Sequence, residues 1–133
     1  MSGNFVKPAG FSDLSSAAGY GLVVRSGDLV FLSGMTARDA AGEMIGVGDF
    51  EAQCVQVYEN MRACLEAAGG TLADVISLRI LITDRAHRLP HRAVCRRYFP
   101  GPDFPCSTLL IVELGSPELL VEVEATAHVA THF

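Results

Sequence analysis

Two glutamates on one predicted strand are the residues of this chain with the clearest potential for chemistry. Between residues 119 and 127, apolar residues alternate strictly with polar ones, which predicts a β-strand with one apolar and one polar face. Glu122 and Glu124 share the polar face and lie about 6.5–7 Å apart, at ~3.3 Å per residue. A carboxylate in this position can accept a proton from water, or it can belong to a solvated outer face. The residues alone leave both interpretations open.

Histidines four residues apart suggest a second kind of chemistry, metal binding. His87 and His91 have this spacing, and His128 and His132 repeat it. A zinc site needs a third protein ligand and an open position, and Pro90 lies between the members of the first pair. We therefore interpret these residues as surface histidines.

The glycines and cysteines form no recognised catalytic motif. Gly46-Val47-Gly48 lacks the strand and helix context of a phosphate-binding loop, and the chain has no GxSxG sequence. The four cysteines lack CxxC spacing, which predicts free thiols. Free thiols are typical of a cytoplasmic protein.

Composition and charge limit the classes of function. The 133 residues carry a net charge of −5, which argues against a dedicated nucleic-acid binder. No signal-peptide core follows Met1, and no apolar run approaches the ~18 residues that cross a bilayer. We therefore expect a cytoplasmic protein with no membrane or nucleic-acid partner. The apolar fraction of 50% favours assembly with other subunits.

Basic residues are nevertheless concentrated in one segment, residues 79–97. Four arginines recur there at spacings of three and four and predict one helix face: Arg85, Arg88, Arg92 and Arg96. The simplest interpretation of this face is a solvated helix surface.

We expect a single domain that spans residues 1–133, in which residues 1–18 form a loose lead-in. Local sequence patterns predict the elements that position these residues. The pattern predicts a hairpin of strands 21–25 and 29–33, a short strand 44–47, a helix 50–68, a strand 75–83, a helix 86–99, and two final strands 109–112 and 119–127. Asp49 is the predicted N-cap of the first helix. Leu89, Val94 and Phe99 are the predicted inward residues of the second helix.

This order predicts an α+β fold, a mixed β-sheet with two helices packed on one face. The strand at residues 109–112 is apolar on both faces, so the second sheet face also needs cover. Because the chain has few helices to supply that cover, we expect other subunits to pack there.

Several short motifs, in their order and spacing, resemble the RidA/YjgF family, the enamine/imine deaminases formerly labelled endoribonuclease L-PSP. The resemblance covers about residues 18–130 and depends on Gly19-Tyr20, Leu32-Ser33-Gly34, residues 65–70, Asp74-Val75, and Phe104-Pro105 followed by residues 121–125. It implies a chorismate-mutase-like fold assembled as a homotrimer, with three clefts between subunits. It also implies hydrolysis of imines such as 2-iminopropionate, with release of ammonia and without a metal or organic cofactor.

The same resemblance implies roles for individual residues. Glu122 corresponds to the glutamate that handles water, and Glu124 stays a solvated neighbour. Ser33 and the Gly34 N–H correspond to groups that hold the substrate, and Tyr20 corresponds to an aromatic residue that closes the pocket. From the residues alone, Ser33 and Gly34 can equally form an ordinary strand exit, and Tyr20 can be a half-buried interface residue.

One position departs from the family pattern. Deaminating members have an arginine where this chain has Ser107, and usually a cysteine where it has Leu109. An arginine holds a carboxylate by charge-assisted bonds worth about 1.5–3 kcal/mol, which one neutral serine bond does not replace. We hypothesise that Arg92, or else Arg79 on the preceding strand, supplies the missing positive charge.

Two functions therefore stay open. The first is a deaminase-like hydrolase that acts on a small imine or enamine in clefts between subunits. The second, favoured by Ser107, is a family member that binds a small carboxylate or runs a different hydrolysis in the same cleft. A ribonuclease is disfavoured by the acidic net charge of the chain.

Overall fold

The computed structural model describes residues 4–8 and 18–130, and it contains one six-stranded sheet and two α-helices. The strands are β1 (Asn4–Val6), β2 (Val23–Ser26), β3 (Leu29–Met35), β4 (Val75–Ile82), β5 (Cys106–Ile111) and β6 (Val121–His128), and the helices are α1 (Phe50–Ala67) and α2 (Arg88–Tyr98). The strand order is β1-β2-β3-β6-β4-β5, and only the pair of β4 and β5 is parallel. This is the predicted α+β fold with a mixed sheet. None of the described helices is long and apolar enough to span a membrane.

Helix α1 forms where the sequence supplies a cap, an apolar stripe and a stop. The Asp49 carboxylate accepts a hydrogen bond from the Ala52 N–H at 3.0 Å, which satisfies a backbone donor of the first turn. Cys54 and Val57 lie on the fully buried stripe of the helix. Gly69, with a φ of +86°, lies just beyond its C-terminal end. The predicted helix, its cap and its stop are confirmed.

Helix α2 begins at Arg88, after a single 3-10 turn at Arg85–His87, and confirms the predicted second helix. Val94 is buried as predicted, and so is Phe99 just after the helix. Leu89 is 58% exposed, so its predicted inward position is wrong. The inward stripe runs through residues 91, 94 and 98, and residue 89 lies about 200° around the helix axis from residue 91.

His91 is buried, which corrects its interpretation as a surface histidine. Its side chain is 3% exposed, and its Nε2 lies 2.6 Å from the Tyr58 hydroxyl of α1. This hydroxyl supplies the partner that a buried imidazole needs. Burial, assisted by the positive charge of Arg92, lowers the pKa of His91 to about 4, so the ring is neutral at pH 7. His87 is half-buried and stacks on Phe50, with ring centroids 4.0 Å apart.

Strands β2 and β3 form the predicted hairpin. Ser26 pairs with Leu29, and Gly27 in the turn between them has a φ of +58°. The predicted lead-in at residues 1–18 is wrong in part, because Asn4–Val6 forms β1 along the outer edge of β2. Residues 1–3 and 9–17 lie outside the described residues.

The predicted short strand at residues 44–47 is wrong. It is reduced to one bridge between Arg38 and Met44. The Asp39 side chain accepts hydrogen bonds from the N–H groups of Ala41 and Glu43, which closes a tight turn beside the bridge. Gly46, with a φ of +72°, leaves the extended conformation two residues after Met44 and ends the pairing on the outer side.

The two C-terminal strands are confirmed, but they are not neighbours in the sheet. β6 lies between β3 and β4, whereas β5 forms the sheet edge beside β4. Strands β4 and β5 run parallel because α2 provides the crossover between them. The segment around residues 115–117 therefore crosses from the edge of the sheet to its interior.

The two faces of the sheet have different surroundings. Both helices pack on one face, where Ile80, Ile82, Val121 and Val123 are buried. The opposite face, which we call the open face, includes Phe31, whose side chain is 42% exposed. No described helix covers the open face. The expectation that other copies of the chain pack there stays a prediction.

Candidate functional site

The carboxylate of Glu122 rests against the backbone of Gly34 on the open face. Glu122 lies on β6 and Gly34 near the end of β3, and both residues are half-buried. A Cβ atom added to Gly34 would lie 2.7 Å from the carboxylate carbon of Glu122, which is much closer than carbon atoms approach in proteins. Glycine is therefore required for this placement of the carboxylate. The structure brings together two of the predicted site residues.

A β-bulge shapes the strand at this point. Leu32 pairs with Ala125 and Met35 pairs with Val123, so residues 33 and 34 together oppose the single residue Glu124. A bulge leaves a residue outside the regular ladder of hydrogen bonds and redirects nearby side chains. It therefore provides a place where the strand backbone can contact a ligand.

Ser33 connects this bulge to the segment that carries Tyr20. The Ser33 hydroxyl donates a hydrogen bond to the Gly21 carbonyl oxygen at 2.6 Å, and the Ser33 N–H donates to the Leu22 carbonyl oxygen at 3.0 Å. The hydroxyl oxygen keeps its capacity to accept a hydrogen bond from a ligand. Tyr20 itself is 51% exposed, directly before the residue that Ser33 contacts.

Glu122 and Glu124 differ in their electrostatic surroundings. Burial raises the pKa of the Glu122 carboxyl, and the negative charge of Glu124 raises it further. Glu124 forms an ion pair with Arg79 of β4, with Nε and Oε1 3.1 Å apart, and both side chains are largely exposed. The two carboxylates therefore lie in different surroundings. Glu124 lies in a solvated ion pair, and Glu122 is held in a partly desolvated position suited to proton transfer.

A concave space of about 360 Å³ lies on the open face beside these residues. Its lining includes Ser33, Arg79, Thr108, Glu124 and Thr126. Glu122 and Gly34 are not part of the lining, but Gly34 directly follows Ser33, and Glu122 lies two residues from Glu124 on the same strand face. The space is large enough for a small metabolite.

A second depression, of about 180 Å³, lies on the helix side of the sheet between α2 and β5. Arg92, Ser107 and Leu109 all line it, so these three predicted site residues come together. Ser107 and Leu109 pair with Leu78 and Ile80 of β4, which are buried beneath the helices. We call this depression the arginine pocket.

The predicted site residues thus form two groups on opposite faces of one sheet. Glu122, Gly34 and Ser33 belong to the open face, whereas Arg92 and Ser107 belong to the arginine pocket. A single copy of the chain does not bring the two groups into one cleft.

Comparison with known proteins places the chain in a family. The sequence profile of the Endoribonuclease L-PSP family matches residues 11–129. The chain belongs to this family, which is also called RidA/YjgF. The predicted family is therefore confirmed.

Several solved structures share the fold of this chain. A Mycobacterium tuberculosis member of the YjgF/YER057c/UK114 family is 33% identical over 96% of this chain and 100% of its own length, with a TM-score of 0.81. A Pseudomonas aeruginosa protein of unknown function is 31% identical over 96% of this chain and 93% of its own, with a TM-score of 0.84. RidA from a Psychrobacter species is 25% identical over 95% of this chain and 99% of its own, with a TM-score of 0.84.

Sequence reasoning missed several members of the arginine pocket. Arg88 and Arg96 line it beside Arg92, although their spacing predicts a solvated helix face. Their four-residue spacing was visible in the sequence, but the depression beneath them depends on where β5 joins the sheet. Buried His91 and half-buried Cys95 form part of its wall and carry no recognisable local signal.

The described histidines belong to no cluster of possible metal ligands. Within residues 4–8 and 18–130, no group of three or more His, Cys, Asp or Glu side chains is placed to hold a metal ion. His132 lies outside the described residues.

Proposed function

We propose that this RidA/YjgF member is a deaminase-like hydrolase that acts on a small imine or enamine in clefts between copies of the chain. The observation that carries the proposal is the position of Glu122, a half-buried carboxylate held against Gly34 with a raised pKa. Such a carboxylate is a stronger base than a fully solvated one and can hold a proton between two steps.

The proposed reaction needs only water and proton transfer. Glu122 takes a proton from water while the water oxygen bonds to the carbon of the protonated imine, whose nitrogen becomes a neutral amine. Glu122 then returns this proton to the nitrogen. The C–N bond breaks as Glu122 takes the proton of the new hydroxyl group, which leaves a carbonyl compound, and Glu122 passes that proton to the departing ammonia. The proposal includes no metal or organic cofactor, as the family resemblance implies.

The remaining predicted residues orient the substrate in this proposal. The Gly34 backbone, which lies against Glu122, and the Ser33 hydroxyl oxygen contact the reacting end, and Tyr20 closes the cleft. The arginine pocket binds the substrate carboxylate through Arg92, with Ser107 adding one neutral hydrogen bond and Leu109 an apolar wall.

The two groups of residues belong to opposite sheet faces, so the proposal requires a second copy that presents its arginine pocket to the open face of the first. Three large apolar side chains on that face are exposed, namely Leu29, Phe31 and Leu110, and apolar surface of this kind favours a protein partner. We infer a homotrimer, as the family resemblance implies. The net charge of −5 and the four free cysteines support a cytoplasmic protein without a nucleic-acid partner.

Ammonia release from imines generated in situ by an amino-acid oxidase tests the proposal. We expect Glu122→Gln to lower the rate by about 100-fold or more, the usual contribution of a general base. Glu124→Gln is the matched control, because it removes a carboxylate of the same strand face, and it should keep most of the activity. Equal rates for Glu122→Gln and the parent protein would remove Glu122 from the mechanism.

Mixing two inactive variants tests the division of the site between copies. Each Glu122→Gln copy keeps Arg92, and each Arg92→Ala copy keeps Glu122. In randomly mixed trimers, about one cleft in four combines both original residues. Activity should therefore return after subunit exchange to about a quarter of the parent value, and no recovery after verified exchange would contradict a shared cleft.

A second candidate function is supported by Ser107. A neutral serine replaces the charged fork that deaminating members use, which favours a family member that binds a small carboxylate or performs a different hydrolysis. Thermal unfolding with keto acids discriminates between the two candidates. Saturable stabilisation without ammonia release from any imine would support the second function.

A further inference from the structure

The arginine pocket holds more positive charge than one carboxylate requires. Three arginines line it at intervals of four residues along α2, namely Arg88, Arg92 and Arg96. Arginines four residues apart lie on the same helix face and repel one another. Arg88 is also the first residue of α2, where the helix dipole disfavours a cation.

Acidic neighbours do not balance this charge. Helix α2 contains no acidic residue, and within the described part of the chain no Asp or Glu pairs with Arg88 or Arg92. Arg97, on the same helix but outside the pocket, forms an ion pair with Glu51 of α1. The helix therefore pairs an arginine outside the pocket with an acidic residue and leaves the pocket arginines available to an external anion.

One of the three side chains is positioned by an aromatic ring. The guanidinium carbon of Arg96 lies 4.9 Å from the ring centroid of Phe104, just before β5. Ser107 follows closely in the chain and adds a hydroxyl to the same pocket. The volume of about 180 Å³ lies below the roughly 300–1,000 Å³ of pockets for drug-sized ligands, which favours a small metabolite as the occupant.

We propose that the metabolite bound here carries two acidic groups, which Arg88, Arg92 and Arg96 share between them. The inference rests on the proposed function in one respect, since it makes one of these groups the carboxylate next to the reacting carbon. The second group is a carboxylate or a phosphate-like group, because arginine binds both through paired N–H donors. The pocket thus assigns the substrate to small dianions rather than to simple imino acids.

Calorimetric titration of the whole protein with glutarate and butyrate tests this inference. We expect glutarate to bind about tenfold more tightly than butyrate at low salt, because its second group gains a charge-assisted contact with exposed arginines. The preference should decrease as the salt concentration rises. Replacing glutarate by 3-phosphonopropionate identifies the second group, since the tighter of the two dianions reveals whether it is a carboxylate or a phosphate-like group.

Variants localise the effect. Arg88→Gln and Arg96→Gln should each lose most of the preference for glutarate, whereas Arg97→Gln, with the same charge change on the same helix, should keep it. Equal affinity of the parent protein for glutarate and butyrate would overturn the inference, as would an equal loss in Arg97→Gln.

The ammonia assay separates this inference from the proposed function. Equal turnover of imines from monocarboxylic and dicarboxylic amino acids, without a preference for glutarate, would support the proposed deaminase function and refute the proposed dianionic substrate. A preference for glutarate that depends on Arg88, with no ammonia released from any imine, would support a dianionic ligand and refute the deaminase function.

Discussion

Replacing Gly34 by alanine should separate the position of Glu122 from the stability of the fold. The added Cβ would lie 2.7 Å from the Glu122 carboxylate carbon, whereas carbon atoms normally approach to about 3.5–4.0 Å. The carboxylate must therefore move by about 1 Å, and a displacement of that size can reduce a reaction rate by about 100-fold. Gly34 does not have a left-handed φ, so the alanine backbone is unstrained. We expect a loss of about 1 kcal/mol in the free energy of unfolding, since a half-buried side chain can rotate away.

The assay is kcat/KM for ammonia release, measured beside urea unfolding. Gly115→Ala is the matched control, because a Cβ at Gly115 meets no atom within 4 Å, and it should change neither quantity. Combining Gly34→Ala with Glu122→Ala should lower activity no further than Glu122→Ala alone, because both act through the same carboxylate. Full activity of Gly34→Ala would refute the inference that the contact positions Glu122.

Three further predictions follow from the charges of the described residues. Because the pKa of Glu122 is raised, its carboxyl contributes most to stability when it is protonated, and this contribution is lost as the pH rises through the folded-state pKa. In Glu122→Gln, the free energy of unfolding should therefore depend less on pH above pH 4.5. The pKa of His91 is lowered from 6.5 to about 4, so the contribution of this residue to stability is fully present above pH 6.5. The free energy of unfolding should decrease by up to about 3 kcal/mol as the pH falls toward about 4. His91→Gln should remove this decrease in acid unfolding curves. Arg79→Gln should change stability by less than about 1 kcal/mol, because its ion pair with Glu124 is exposed. The same variant should move the acidic limb of the ammonia-release profile to higher pH, because the unpaired charge of Glu124 raises the pKa of Glu122 further.

Local signals predicted most of the elements. The cap at Asp49, the stop at Gly69 and the turn at Gly27 each act within a few residues, so the sequence pattern defined α1 and the first hairpin. The alternation along residues 119–127 likewise placed Glu122 and Glu124 on one face. These features depend on short-range geometry that every L-amino acid chain obeys.

Features that depend on distant parts of the chain were missed or misjudged. The burial of His91 requires the Tyr58 hydroxyl, which comes from another helix, so no pattern within α2 predicts this burial. The bulge at residues 33 and 34 depends on the register between β3 and β6, which are far apart in the sequence. The strand at Asn4–Val6 lacked any turn or alternation that would have distinguished it from a loose segment.

The division of the site between two sheet faces has a consequence for how activity depends on assembly. Side chains alternate between faces along every strand, so neither a rotamer change nor a loop movement can carry Ser107 from the helix side to the open face. If catalysis needs both the open-face residues around Glu122 and the arginine pocket, a single chain without its partner copies is inactive even when it is folded. Dilution below the dissociation constant of the assembly should then abolish ammonia release while the buried core, including His91, stays intact. Retained activity in a verified monomer would show instead that the open face alone binds and hydrolyses the substrate, and the arginine pocket would have to serve a different ligand.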